Sequence, residues 1–71
     1  MNKQYYVNNN STYNPGFHHE VHTSEHAAAL RIRDKTFLGV FSDEIAAVRA
    51  AKLLYSDADG CAVCCPRAHK G

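Results

Sequence analysis

The chain has few large apolar side chains. Of its 71 residues 45% are hydrophobic, but ten of these are Ala and only nineteen are Phe, Tyr, Leu, Val, Ile or Met. A chain of this length buries only about 60% of the surface that its unfolded form exposes. The sequence therefore predicts one small domain over residues 1–71, with flexible tails at 1–3 and 67–71. It also argues against a large enzyme cleft.

A membrane span and a charge excess are missing as well. No apolar run approaches the roughly 18 residues of a membrane helix. The N-terminal stretch, MNKQYYVNNN, contains no apolar segment typical of a secretory signal. The net charge is only +1, which excludes a strong field for polyanions. We therefore expect a cytoplasmic protein with no membrane partner.

Cysteine and histidine, in contrast, are abundant for so short a chain. The three cysteines lie within five positions, at Cys61, Cys64 and Cys65. An odd, clustered count is a poor disulfide framework. Five histidines accompany them, at His18, His19, His22, His26 and His69. The two groups together suggest a site for a transition metal.

The N-terminal half predicts two strands and a helical turn. Tyr5-Tyr6-Val7 has strand propensity and predicts a strand over residues 4–8, followed by a loop that closes at the Asn-Pro-Gly turn of residues 14–16. Alternation over residues 17–23 predicts a second strand. Thr23 or Ser24 can then cap a helical turn through residues 25–29.

The centre of the chain predicts a hairpin. Residues 30–33 alternate between apolar and charged side chains, and residues 36–41 are apolar and β-prone. The two polar residues at 34–35 suit a tight turn between them. Gly39 inside the second segment predicts a bulge or close backbone packing.

One main helix follows, with Ser42 as its predicted N-cap. At 100° per residue, one apolar arc contains Ala47, Val48, Ala51, Leu54 and Tyr55. Gly60 is placed for a left-handed cap at its end. The predicted fold class is α+β. A small antiparallel sheet of three or four strands packs against this helix of the C-terminal half, with a CxxC knuckle at the end.

Two paired spacings predict a metal site. Cys61-x2-Cys64 follows Gly60, as in a zinc knuckle, and His22-x3-His26 places two rings one helical turn apart. Together they predict a tetrahedral Zn²⁺ site with 34 residues between His26 and Cys61. Three alternative ligands lie nearby in sequence: Cys65, His69 and His19.

Other interpretations of these residues stay open. The histidines can be exposed strand and loop residues, and the cysteines can be small core residues, because Cys is often buried. His19-Glu20-Val21-His22 lacks the spacing of four between histidines that the HExxH motif requires. We therefore expect no metalloprotease chemistry and no catalytic residue.

The order of these features resembles the Ada-type metal-binding domain and the small bacterial and phage proteins that share its pattern. The resemblance covers about residues 5–66, from the Tyr-Val-Asn-Asn-Asn-Ser opening through the hairpin and helix to Gly60-Cys61-x2-Cys64. It implies a zinc ion held by a first pair, His22 and His26, and a second pair, Cys61 and Cys64.

The first pair departs from that family. There it is CxxxC or HxxxC, and in the DNA-repair member the first Cys accepts a methyl group from a DNA phosphotriester. His22 offers no thiolate, so the resemblance does not extend to methyl transfer here. The link from the helix to the CxxC pair is also longer than in that family.

Two functions of different classes follow. The first is a non-enzymatic, zinc-stabilised binding module whose ligand is a nucleotide or a nucleic acid. The alternative is a phage-type protein that sequesters a nucleotide-derived immune signal in a pocket shared within an oligomer. A hydrolytic or methyl-transfer enzyme comes third. The residues that bind a ligand are not indicated by any motif.

A homodimer or a higher homo-oligomer is also expected. Ile45 and Leu53 lie outside the predicted helix arc, and one small sheet cannot bury both helix surfaces. Short domains often gain stability by association. The exposed side of the helix, or a sheet edge near Tyr5-Tyr6-Val7, would form the interface.

Overall fold

The centre of the fold is strand β1 (Lys3–Asn8), in which buried Tyr5 and Val7 alternate with more exposed neighbours. It pairs antiparallel with β2 (Glu20–Thr23) on one side and with β3 (Lys35–Phe41) on the other. The structure is a computed structural model that describes residues 2–10 and 18–69. The first predicted strand is therefore confirmed, and the second is found over its last four residues.

A short fourth strand, β4 (Asp59–Gly60), completes the sheet in the order β3-β1-β2-β4. It runs parallel to β2, with Glu20 opposite Asp59 and Val21 opposite Gly60. The α+β class and the four strands are as predicted. The prediction of a wholly antiparallel sheet is wrong. A helix connects β3 to β4 and places β4 beside β2, on the side of β2 away from β1.

Helix α1 (Ser24–Ala29) begins directly after β2, with Thr23 as its N-cap. The Thr23 hydroxyl accepts a hydrogen bond from the backbone N–H of His26. At the other end, Arg31 adopts a φ of 57° and its N–H donates to Ala28 O, while the N–H of Ile32 donates to Ala27 O. This bond pattern is a Schellman motif with arginine in the position that glycine usually takes.

The Schellman motif explains why the predicted hairpin is wrong. Residues 30–33 form the end of α1 and a turn, not a strand. β3 pairs instead with β1, so Thr36 lies opposite Val7 and Lys35 opposite Asn8. Long-range pairing of this kind leaves no local signal in the sequence.

The predicted irregularity at Gly39 is confirmed. Gly39 has a φ of 132°, and it lies opposite Tyr5, whereas Phe37 lies opposite Tyr6. Leu38 is therefore an extra residue in β3, and the register shifts between Tyr5 and Tyr6. Only glycine adopts such a φ without strain.

Helix α2 (Glu44–Ala51) is capped by Asp43 and not by Ser42. The Asp43 carboxylate accepts a hydrogen bond from the N–H of Ala46. The helix is also shorter than predicted, so Leu54 falls in the following turn and stays 57% exposed. Gly60 takes no left-handed cap, because it belongs to β4.

The core lies between the sheet, α2 and the C-terminal segment. It consists of Tyr5, Val7, Val21, Ala47, Val48, Ala51, Ala58, Cys65 and Ala68, all buried. Within the predicted tails, Lys3 belongs to β1 and Ala68 belongs to this core. The predicted turn at residues 14–16 lies outside the described residues. Neither described helix is long and apolar enough to cross a membrane.

Candidate metal centre

The two histidines of the first predicted pair come from different elements. His22 lies at the end of β2 and is 2% exposed, and His26 lies in the first turn of α1. The prediction that both lie on one helical turn is therefore wrong, because Thr23 ends the strand and caps the helix between them. Their rings nevertheless meet edge to face, with centroids 5.5 Å apart.

The two cysteines of the second pair follow β4. Cys61 is tied to β2 by a hydrogen bond from its N–H to Val21 O. The N–H of Cys65 then donates to Cys61 O at 2.8 Å, which closes a turn around Cys64. The sheet and this turn together aim the sulfurs at the histidine rings.

One ligand atom from each of four residues forms a tight group, which we call the His2Cys2 cluster: His22, His26, Cys61 and Cys64. These atoms all lie within 4.8 Å of one another. The Cys61 sulfur lies 3.6 Å from Nδ1 of His26, and the Cys64 sulfur lies 3.8 Å from Nδ1 of His22. Among the described residues, this cluster is the one group of such side chains able to hold a metal ion.

The three thiols of the chain differ in acidity. A hydrogen bond from the Cys65 thiol, with a further contact from His22, lowers the pKa of Cys64 to about 3 against the effect of burial. The same contact and burial raise the pKa of Cys65. Burial also raises the pKa of Cys61, an effect that the neighbouring backbone N–H groups of Cys64 and Val63 offset only in part. Since the thiolate is the form that binds a metal, Cys64 is the better prepared of the adjacent pair.

Cys65, a predicted alternative ligand, is fully buried in the core. Its sulfur lies 3.8 Å from that of Cys64, but it is not part of the His2Cys2 cluster. Two consecutive side chains leave the backbone in different directions. When Cys64 points toward the histidines, Cys65 therefore points into the apolar interior.

The other alternative ligands have different partners. Nδ1 of His19 lies 2.7 Å from the Asp57 carboxylate, and its ring stacks on Tyr55 at a centroid distance of 3.8 Å. His69 contacts Gly60 O through Nδ1 at 2.9 Å. Both side chains therefore fasten the ends of the segment that carries the cysteines, away from the cluster.

Glu20 lies beside the His2Cys2 cluster, although no sequence motif predicts a role for it. Its Oε1 lies 3.9 Å from Nε2 of His22, whereas the Cys64 sulfur lies near Nδ1 of the same ring. Carboxylates that hydrogen-bond the second ring nitrogen orient metal-ligating histidines in many proteins, and Glu20 lies just beyond hydrogen-bond distance for that role. The strand period of two, which places residues 20 and 22 on one face of β2, is the signal that would have paired them.

Comparisons with protein-family models, with curated proteins and with solved structures found no match for this chain.

Proposed function

We propose that the chain is a small, non-enzymatic binding module whose fold is stabilised by one Zn²⁺ held by the His2Cys2 cluster. The observation that carries this proposal is the pair of sulfur-to-nitrogen distances, 3.6 and 3.8 Å. Zinc bonds of about 2.3 Å to sulfur and 2.0 Å to nitrogen in a tetrahedron separate the two ligand atoms by about 3.5 Å. These two pairs thus already lie at zinc-like separations, and all the ligand atoms lie within 4.8 Å of one another.

The donor set favours zinc in a structural role. Two imidazoles and two thiolates are a common zinc set, and four protein ligands leave no coordination position for water or substrate. The cluster also links β2, α1 and the segment after β4, which are otherwise joined by a sheet of few residues. An ion at this point would hold the C-terminal segment to the first half of the chain.

The ligand order, an early pair followed by CxxC, also supports the proposed relation to the Ada-type domain. With histidine at both early positions there is no early thiolate to accept a methyl group. We therefore assign binding and not methyl transfer, with a nucleotide or nucleic acid as the ligand class that the resemblance implies.

Chelation tests the structural role of the ion. Structural zinc contributes roughly 10–16 kcal/mol in apparent binding free energy in small zinc-finger peptides, which exceeds the stability margin of most small domains. Treatment with a strong chelator should release one zinc per chain and unfold the protein, as followed by circular dichroism, and added zinc should restore the signal. A metal-free chain that keeps its full thermal transition contradicts the proposal.

A further inference from the structure

A basic cleft lies between α2 and the C-terminal segment, on a part of the surface that the metal proposal does not use. Its volume is about 260 Å³, and it is lined by Ile45, Val48, Arg49, Lys52, Arg67 and Ala68. Half of these residues are cationic and half are apolar. No carboxylate lines the cleft, and none of the three cations pairs with a carboxylate of the described residues.

The cations come from two parts of the chain. Arg49 and Lys52 are three positions apart and so project from the same face at the end of α2. Arg67 comes from the opposite wall, and its backbone N–H donates to the Glu44 carboxylate at 3.2 Å. This bond ties Arg67 to the start of α2 and leaves its guanidinium available.

The wall that carries Arg67 is built by the segment after β4. The N–H of Ala68 donates to Cys65 O, and the buried Ala68 side chain packs into the core. Gly60 allows this approach, since a Cβ there would lie 2.8 Å from Cys65 O and 2.9 Å from Cβ of Ala68. The backbone on both sides of the cleft is therefore fixed before a ligand arrives, which lowers the entropic cost of binding.

We infer that the basic cleft binds the phosphate group of a small phosphorylated molecule, with a mononucleotide as the class that fits best. Guanidinium groups match the oxygens of a phosphate in pairs, and an ammonium group adds a point charge. The apolar floor of Ile45, Val48 and Ala68 can take the less polar part of the same molecule. Its volume lies below the range of most small-molecule sites, so the cleft would hold the phosphate and the adjoining part of the molecule while the rest stays outside.

A long nucleic acid fits these observations less well. The whole chain carries a net charge of only +1, and three cations in a concave site offer few contacts to a continuous phosphate backbone. A second cleft, of about 460 Å³, contains Arg31 and Arg33 but also the carboxylates of Glu20 and Asp34. Its mixed charge makes it the weaker candidate for a phosphate.

The inference rests on the proposed function because the metal would hold Cys61 and Cys64, and with them the wall that carries Arg67. Calorimetric titration of the metal-loaded full chain with adenosine monophosphate, adenosine, inorganic phosphate and an unphosphorylated single-stranded oligonucleotide tests it. Adenosine monophosphate should bind at least ten-fold more tightly than adenosine or phosphate alone. Tighter binding of the oligonucleotide, or equal binding of adenosine, would overturn the inference.

Matched arginine variants locate the site. Arg67→Ala keeps the backbone bond to Glu44 and should weaken binding of adenosine monophosphate about ten-fold or more, as should Arg49→Ala. Arg33→Ala removes a guanidinium that is also exposed, from the second cleft, and should leave the affinity unchanged. If Arg33→Ala weakens binding of adenosine monophosphate and Arg67→Ala does not, the assignment is overturned.

Elemental analysis of the same samples separates the two proposals. Zinc with no binding of adenosine monophosphate at millimolar concentration contradicts the cleft and leaves the metal proposal standing. Binding that depends on Arg67 in a folded, zinc-free chain contradicts the metal proposal and supports the cleft.

Discussion

The Cys61 sulfur lies 3.6 Å from Nδ1 of His26, although the two residues are 35 positions apart in the chain. Cys61 follows the last strand and His26 lies in the first turn of α1, so the tertiary fold brings them together. This sulfur-to-nitrogen distance is shorter than the 3.8 Å between Cys64 and His22, and it makes His26 the most direct test of ligand identity.

Replacing His26 should remove the metal, and cysteine should restore it. His26→Ala leaves three ligands, so we expect zinc content well below one per chain and a lower melting temperature. His26→Cys supplies a thiolate near the same point and should retain one zinc, as measured by elemental analysis after gel filtration. Full zinc occupancy in His26→Ala would remove His26 from the ligand set.

Serine variants of the two adjacent cysteines should differ in bound zinc more than in stability. Cys64 belongs to the cluster, whereas Cys65 is fully buried in the core. Serine at either position is costly, because one change removes a ligand and the other buries a hydroxyl. Only Cys64→Ser should lose zinc, and Cys65→Ser should keep it at a reduced melting temperature. The reverse pattern would identify Cys65 as the ligand.

Glycine at position 31 should stabilise the fold. Arg31 holds a φ of 57° at the end of α1, a conformation that costs most side chains about 1 kcal/mol. Arg31→Gly should raise the free energy of unfolding by up to about 1 kcal/mol in chemical denaturation. Arg33→Gly is the matched control and should not stabilise, since Arg33 has no positive φ. A destabilised Arg31→Gly would contradict this account of the helix end.

That the chain forms a homodimer stays a prediction, but β1 can no longer supply its interface. β1 lies between β2 and β3, so the Tyr5-Tyr6-Val7 segment has no free edge to offer. The turn after α2 instead exposes Leu53 at 88% and Leu54 at 57%. Burying two leucines contributes roughly 1.5–3 kcal/mol each before the cost of association.

Native mass spectrometry at tens of micromolar tests this interface. We expect a mass of at least twice 7.9 kDa for the unmodified chain and a shift toward the monomer for Leu53→Glu. Leu30→Glu introduces the same charge at another exposed leucine and should leave the mass unchanged. A monomer of the unmodified chain would reject the dimer.

Local signals in the sequence predicted much of the fold correctly. The strand at Tyr5-Tyr6-Val7, the irregularity at Gly39 and a helix containing Ala47, Val48 and Ala51 all depend on neighbouring residues, and all are found. The helix N-caps were predicted within one residue, because Ser42 and Asp43 are both good caps and only the backbone decides between them. The C-cap predicted at Gly60 was wrong, because that residue belongs to β4.

The sequence gives no local signal for contacts between segments that are far apart in the chain. The pairing of β3 with β1 and the parallel β4 depend on tertiary contacts, so the hairpin and the all-antiparallel sheet were wrong. The metal site was predicted in part. The spacings of four and three predicted which four residues come together, but not that His22 belongs to a strand and His26 to a helix.

The measurement that tests the central claim most directly is X-ray absorption at the zinc K-edge of the purified chain. The account predicts a four-coordinate ion with two sulfur ligands at about 2.3 Å and two imidazole nitrogens at about 2.0 Å. One zinc per chain should be found alongside that spectrum. A preparation without zinc, or a first shell with three sulfurs or with oxygen ligands, would contradict it.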